Sequence, residues 1–306
     1  MCPGWSRLSA PLSLRWLLAE AALMILVTTA GKVGTAAAIE LAQAGQPVRV
    51  LVRDLARHES LNDLGVDLLV GDLDDAASVA AAVDGISSVI LVSLGMPAQE
   101  LRVVEAARHA AVGSIVKASS TASLDSPIER RRGQAAIEAG LVVSGVPHVI
   151  LRSNAYMQNF LVLAPGIAKT NTFASSAGAG RVGLVDARDV GAVAARIASS
   201  PAGHLGNTYH LTGPELLSYS DVASILSRVL GRTIPFTKRT ATEDEAAMVG
   251  AGVPESIAKQ NAQAFSLIAS GDAEWQSDDV SHILGRPARS FEQFAEEFAF
   301  AFGGKS

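Results

Sequence analysis

Thr28-Thr29-Ala30-Gly31-Lys32-Val33-Gly34 follows an apolar run and opens a helical period. Glycines three residues apart at such a junction suit phosphate binding. Backbone amides at a helix start face the anion, and only glycine lets the chain approach it closely. A second apolar run ends about 20 residues further on, in Leu51-Val52-Arg53-Asp54, where dinucleotide sites read the ribose. An acid here would hold a 2′-hydroxyl and an arginine a 2′-phosphate. Arg53 therefore points to NADP, with Lys32 as a second cation near the same phosphate, while Asp54 keeps NAD open. Asp72 and Leu73, in Gly71-Asp72-Leu73-Asp74-Asp75, stand where an adenine ring would lie, and Asp74 or Asp75 caps the next helix. Ser93 leaves a fourth run as a small residue past which a cofactor fits, and Lys117-Ala118-Ser119-Ser120 leaves a fifth at the nicotinamide end. Asn154, Tyr156 and Gln158 follow a sixth run.

The expected dinucleotide contacts are thus Thr28, Gly31, Lys32, Val33, Gly34, Arg53, Asp72, Leu73, Ser93, Lys117 and Ser119. Lys117, Asn154 and Tyr156 are the groups expected to face the chemistry, by orienting the ring or a substrate through hydrogen bonds. Met157 and Phe160 read as an apolar wall or core.

These residues can act together only if strands and helices alternate. Met24–Thr28, Val48–Val52, Asp67–Val70, Ser88–Val92, Ser114–Lys117 and His148–Leu151 have the length and Val/Ile/Leu content of strands buried on both faces. Helical periods lie between them, over Val33–Ala44, Leu55–Leu64, Ala76–Val83, Gln99–Ala111 and Ile128–Val143. Repeated β-α units with right-handed crossovers predict an α/β fold, a doubly wound parallel Rossmann sheet. Every candidate above then falls at a strand's carboxyl end, where open α/β sheets bind ligands.

The rhythm changes beyond Arg152. Ser175–Gly183 reads as a loop, followed by a helix over Asp186–Ser199 and a strand at Thr208–Leu211. Helices follow over Ser218–Leu230, Glu243–Gly250, Glu255–Ser270 and Phe291–Phe302, with Ser218 and Ser290 as N-caps. The expected organisation is an extension over 1–23, a dinucleotide-binding domain over 24–152, and a smaller, mostly helical substrate lobe over 153–306, interleaved with the sheet edge.

Composition limits the alternatives. Of the 306 residues 49% are hydrophobic and 18% charged, and the net charge is −5, which argues against a nucleic-acid surface. Arg130-Arg131-Arg132 reads as a solvated helix face. A single cysteine excludes an internal disulfide, and the six histidines show no ligand spacing, so no metal site is expected. Arg7, Arg15 and the apolar run from Ala21 to Ala30 mimic a signal peptide. However, Glu20 edges that run, which continues straight into the glycine motif. No apolar stretch reaches the roughly 18 residues that span a bilayer. The reading is a cytoplasmic protein, monomeric or homodimeric, whose fold starts at Met24.

Taken together, Met24–Gly34, Val48–Asp54, Gly71–Asp75, Val116–Ser120, Leu151–Asn159, Val185–Val190 and Tyr209–Ser220 resemble the NmrA-like branch of the atypical short-chain dehydrogenase/reductases. The likeness runs over about residues 24–300 and is strongest toward bacterial NAD(P)H:quinone and azo-dye reductases. The branch also includes sensors that bind dinucleotide without turnover. The family's G-x-x-G-x-x-G spacing is kept, with Thr28 in the first glycine's place. Glu138, Leu141, Ser144 and Gly145 match the family's E-x-x-L-x-x-S-G, but Gln134 holds the position where relatives often carry histidine. The Tyr-x-x-x-Lys pair of short-chain dehydrogenases is missing, since Phe160, Gly213 and Ala223 stand four residues after the three tyrosines. The resemblance implies an enzyme passing hydride from NADPH, or from NADH, to an electron-poor aromatic or quinone-like acceptor that needs little acid catalysis. A dinucleotide sensor, and a pathway-specific reductase, isomerase or epimerase, are the alternatives it leaves.

Overall fold

The computed structural model describes residues 23–93 and 96–304; nearly all of the 1–23 extension, together with Leu94 and Gly95, lies outside the described residues. The six apolar runs form β1 (Met24–Val27), β2 (Val48–Val52), β3 (Asp67–Val70), β4 (Ile86–Leu91), β5 (Ser114–Ser120) and β6 (His148–Ser153). Thr208–Leu211 adds β7 beside β6, giving a sheet of order β3-β2-β1-β4-β5-β6-β7 with every pairing parallel. The order reverses between β1 and β4. The carboxyl ends of those two strands therefore open a crevice with a connection leaving each side of it.

Helices cover both faces, which is why the central strands carry apolar residues on successive positions. One face is packed by α1 (Lys32–Gln43) and the other by α2 (Ala76–Val83), α3 (Pro97–His109) and α4 (Glu129–Ser144). Leu55–Leu64, read as one helix, is instead a 3-10 turn at Leu55–Arg57 followed by a single helical turn at Glu59–Asn62. Asp54 caps the first piece, and the extended φ of −133° at His58 separates the two.

The C-terminal half divides between two cores. Phe160–Thr170 forms α5, and Ala187–Ser199 forms α6, which returns to the sheet against α1. Small residues permit that approach: a Cβ on Gly191 would come within 2.6 Å of the Ala36 Cβ and 2.7 Å of the Ala37 nitrogen. Residues 185–211, and Val280 further on, therefore pack with the dinucleotide half.

The remaining lobe is built from α5, α7 (Tyr219–Leu230), α8 (Ala241–Gly250), α9 (Glu255–Ala269), α10 (Asp279–Leu284) and α11 (Phe291–Glu297), with α10 reaching back to the sheet side through Val280. Its core centres on Phe160, whose ring lies 5.1 Å from Phe291 and 5.3 Å from Tyr219. Met157 joins that core. Ser218 and Ser290 cap α7 and α11 in reciprocal capping boxes with Asp221 and Gln293. The stretch read as a loop is flanked by short strands. Phe173–Ser175 pairs with Phe236–Lys238, and Arg181–Val182 pairs with Leu217–Ser218.

The arginine cluster is not a free solvated face. At the start of α4, Arg131 forms a 2.7 Å ion pair with Asp272 and Arg130 donates to Asn261 at 3.1 Å. Both partners belong to the lobe, so the first turn of α4 braces one half against the other.

Candidate dinucleotide and acceptor site

The β1–α1 loop is held by hydroxyls. The Thr28 Oγ1 donates to the Val92 carbonyl at 2.7 Å and accepts from the Val92 nitrogen at 2.9 Å, while Thr29 donates to the same carbonyl at 3.0 Å. Thr28 is buried, so the residue in the first glycine's place stitches β1 to the end of β4, across the crevice. Gly31 is the N-cap of α1 and no side chain caps that helix. Asp75, Asp186, Ser218, Thr240 and Ser290 each cap theirs with an oxygen. A Cβ on Gly31 would meet only the Thr29 Oγ1, at 4.0 Å.

Open space above an uncapped helix start, with backbone N–H groups and the positive end of the helix dipole, fits a pyrophosphate. Val33 is buried, so it offers its amide and not its side chain. Gly34 answers a different need. A Cβ there would sit 1.8 Å from the Thr29 carbonyl oxygen, so the loop folds directly onto the helix backbone.

At the ribose end, Arg53 is exposed where β2 stops. Asp54, the acid that kept NAD open, turns away to cap the 3-10 turn by accepting from the Ala56 nitrogen at 3.1 Å, and pairs with Arg57 at 3.3 Å. That leaves Arg53 as the exposed cation at the end of β2, the residue expected to read the ribose. A charge-assisted contact to a 2′-phosphate is worth about 1.5–3 kcal/mol. Arg53→Ala should then weaken NADPH by roughly ten- to a hundredfold and leave NADH nearly unchanged, as calorimetry with both cofactors will show. Equal weakening of both would make Arg53 a structural residue.

Lys32 departs from the expectation. Its ammonium lies 3.4 Å from the Asn159 Oδ1, beyond β6, and partial burial pulls its pKa down. It therefore ties the β1–α1 loop to the lobe side of the crevice. The Asp72 carboxylate accepts from the Asp74 nitrogen at 2.9 Å, shaping the turn where adenine would lie, and the buried Leu73 has its carbonyl held by Arg102. Asp75, not Asp74, caps α2.

At the nicotinamide end, Lys117 corrects the sequence reading most clearly. Its Nζ lies 2.7 Å from the Glu100 Oε2 and both side chains are wholly buried. The same ammonium donates to the Ala118 carbonyl at 2.7 Å. Burial pulls the Lys117 pKa down, and Glu100 beside it pushes it back up, with Glu138 adding to that. The Ser93 hydroxyl donates to the other Glu100 oxygen at 2.6 Å. Lys117 is thus the inner half of a buried ion pair and cannot reach a substrate. Glu100, its partner on α3, carried no sequence signal beyond being an acid in a first helical turn.

Ser119 donates to Glu138 at 2.6 Å, and Arg152 grips the second Glu138 oxygen at 2.6 Å. Gln134, in the histidine position, accepts from Ser119 at 3.2 Å. Asn154 is likewise a brace. Its amide donates to the Ala273 carbonyl at 3.0 Å and its Oδ1 accepts from the Ala155 nitrogen at 2.8 Å. Gln158 holds Asp186 at 2.7 Å and accepts from the Ala187 nitrogen at 2.9 Å, fixing the start of α6. Tyr156 stands half-buried in a bridge to Val185. Burial pushes its phenol up, so it stays protonated and can donate.

The strand ends thus gather the Gly31 loop, Ser93, Ser119 and Tyr156, while Lys117, Asn154 and Gln158 hold backbone and neighbours in place. Among the described residues, no three metal-ligating side chains cluster and no helix is long and apolar enough to cross a membrane.

The chain resembles known proteins over most of its length. The profile of the NmrA-like family matches residues 21–295. The NAD(P)H azoreductase of Xenophilus azovorans is 33% identical over 285 residues, covering 92% of this chain and 99% of that protein. The (4-alkanoyl-5-oxo-2,5-dihydrofuran-3-yl)methyl phosphate reductase of Streptomyces griseus is 35% identical over 284 residues, covering 91% of this chain and 99% of that protein. Among solved structures, the NADPH-dependent quinone oxidoreductase of Escherichia coli superposes with a TM-score of 0.81 at 26% identity, covering 90% of this chain and all of that one.

Proposed function

The chain belongs to the NmrA-like family, and from that premise we propose that it is an NADPH-preferring oxidoreductase passing hydride to an electron-poor, conjugated acceptor such as a quinone. The relatives' names point the same way: a quinone, an azo group and an acylated unsaturated lactone all accept electrons readily. A bound nicotinamide supplies the hydride. The chain offers the phosphate at the α1 start, reads the ribose through Arg53, and leaves the Tyr156 phenol to donate toward an oxygen that gains charge.

The observation that carries this reading is the locking of Lys117 to Glu100. A fully buried, ion-paired ammonium cannot tune a tyrosine or deliver a proton to a substrate, so Tyr156 is left a weak, untuned acid, too poor for unactivated carbonyls. We place the enzyme in the cytoplasm, acting as a monomer or homodimer on a small aromatic molecule. The absence of an internal disulfide, with a single cysteine in the chain, supports that compartment.

The test is steady-state oxidation of NADPH with a panel of quinones beside simple ketones and alcohols. Turnover is expected with the quinones and not with the others. Tyr156→Phe should slow quinone turnover by less than about 10²-fold, the lower bound for a positioned acid. Strong activity on a plain ketone would overturn the reading.

A further inference from the structure

The ladders of the sheet give out unevenly at its carboxyl edge. β1 pairs with β4 as far as Val27 and Ile90, and β4 with β5 as far as Leu91 and Lys117. β5 and β6 stay paired beyond that point, to Ser120 and Ser153. Val92 and Ser93 therefore lie past both ladders of β4, at the switch point where the crevice opens.

Side chains hold this exit from both sides. Thr28 and Thr29 take the Val92 backbone from the β1 side. Toward β5, the Ser93 hydroxyl donates to the Glu100 Oε1 at 2.6 Å. The other Glu100 oxygen lies 2.7 Å from the Lys117 ammonium, which also donates to the Ala118 carbonyl at 2.7 Å. Glu100 and Lys117 thus continue the connection between β4 and β5 where the ladder has stopped.

A wholly buried ion pair is an expensive way to join two strand ends. Apolar side chains of similar volume stabilise a fold as well or better, and the best-attested gain from buried charge is one fixed arrangement. What this pair adds is a directed hydrogen bond to the β4 exit. Arg53 and Asp72 lie on the other side of the switch point, past the ends of β2 and β3. The pair therefore bears on the half of the crevice over β4 and β5.

Resting on the cofactor assignment made above, we propose that Glu100, held by Lys117, is a positioning residue: through Ser93 it fixes the β4 exit against which the nicotinamide half of the dinucleotide settles. The ion pair serves cofactor geometry, and folding alone would be served by an apolar pair.

The test is calorimetric titration of NADP⁺ and of 2′-phospho-ADP-ribose, the same molecule without its nicotinamide. Three variants are compared with the parent: Ser93→Ala, the double variant Glu100→Leu with Lys117→Met, and the combination of all three changes. Each should bind NADP⁺ about tenfold more weakly, the size of one charge-assisted hydrogen bond, and bind the fragment as the parent does. The combined variant should be no weaker than the double, because both changes act through one contact. Parent-like NADP⁺ binding by the double variant would overturn the proposal, and so would equal weakening of both ligands, which a merely structural pair would give. A double variant that does not fold would overturn it as well, since folding would then need the charges. All these readouts are binding and folding, so a protein that reduces no quinone would end the proposed function without touching this result.

Discussion

Gly31→Val should raise the NADPH dissociation constant by at least about a hundredfold while the protein stays folded. The backbone at Gly31 is extended, at φ −81° and ψ −168°, a conformation valine adopts readily. A Cβ there meets no atom closer than 4.0 Å, so nothing in the protein resists it. The valine methyls would instead fill the space over the first amides of α1, where phosphate oxygens must come. Losing glycine at this N-cap costs only about 1 kcal/mol of stability.

Gly34→Ala should behave oppositely, because its Cβ collides with the Thr29 carbonyl at 1.8 Å and the loop must move. That variant should lose stability first and cofactor as a consequence. Calorimetry with NADPH and thermal unfolding, run on both variants, separate the cases. Unchanged affinity in Gly31→Val would remove the phosphate assignment.

Glu100→Leu should cost about 3–5 kcal/mol of folding stability, because it leaves the Lys117 ammonium buried without its partner. Glu100→Leu combined with Lys117→Met should recover most of that loss, since two apolar side chains of similar size need no compensation. The single variant should also become pH-dependent. Burial already pulls the Lys117 pKa down, and without Glu100 to push it back the folded value falls further. The unfolded chain then holds a proton that the folded one has released. Stability of Glu100→Leu should accordingly rise with pH from that lowered value up to the ordinary lysine value of about 10.4. Urea denaturation across pH measures both effects. Single variants each costing under about 1 kcal/mol would show that the pair does not hold this part of the sheet.

Most of the framework could be read from the chain because it rests on local patterns. The doubly buried central strands announce themselves as short Val/Ile/Leu runs, whereas β7 is an edge strand, Thr208–Leu211, of which only Leu211 is buried. Helix α5 was not legible, because Pro165 and Gly166 sit inside it and read as breakers. It persists because Phe160, Ala164 and Ile167 bury one face in the lobe core. Leu55–Leu64 carried a helical period but is broken by its own cap at Asp54 and by His58.

The position of the β1–α1 loop was legible, and Arg53 lies exposed just past β2, where the spacing placed it. What each polar group does was not legible, because its partner is chosen by topology. Lys117 stands 17 residues from Glu100, Arg130 stands 131 from Asn261, and Asn154 stands 119 from the Ala273 carbonyl it holds. Lysine, asparagine and glutamine at strand ends look chemical in a sequence. Here their hydrogen bonds are spent on positioning the backbone that meets the cofactor.

The central claim is that this crevice transfers hydride as well as holding a dinucleotide. A single-turnover experiment tests it most directly: protein is loaded with one equivalent of NADPH, mixed with excess quinone, and followed by the loss of reduced-nicotinamide absorbance. The account predicts one exponential whose rate rises with quinone concentration and slows when the transferred hydrogen of NADPH is replaced by deuterium. Tight NADPH binding with no oxidation across the quinone panel would contradict it and leave a protein that binds the dinucleotide only to sense it.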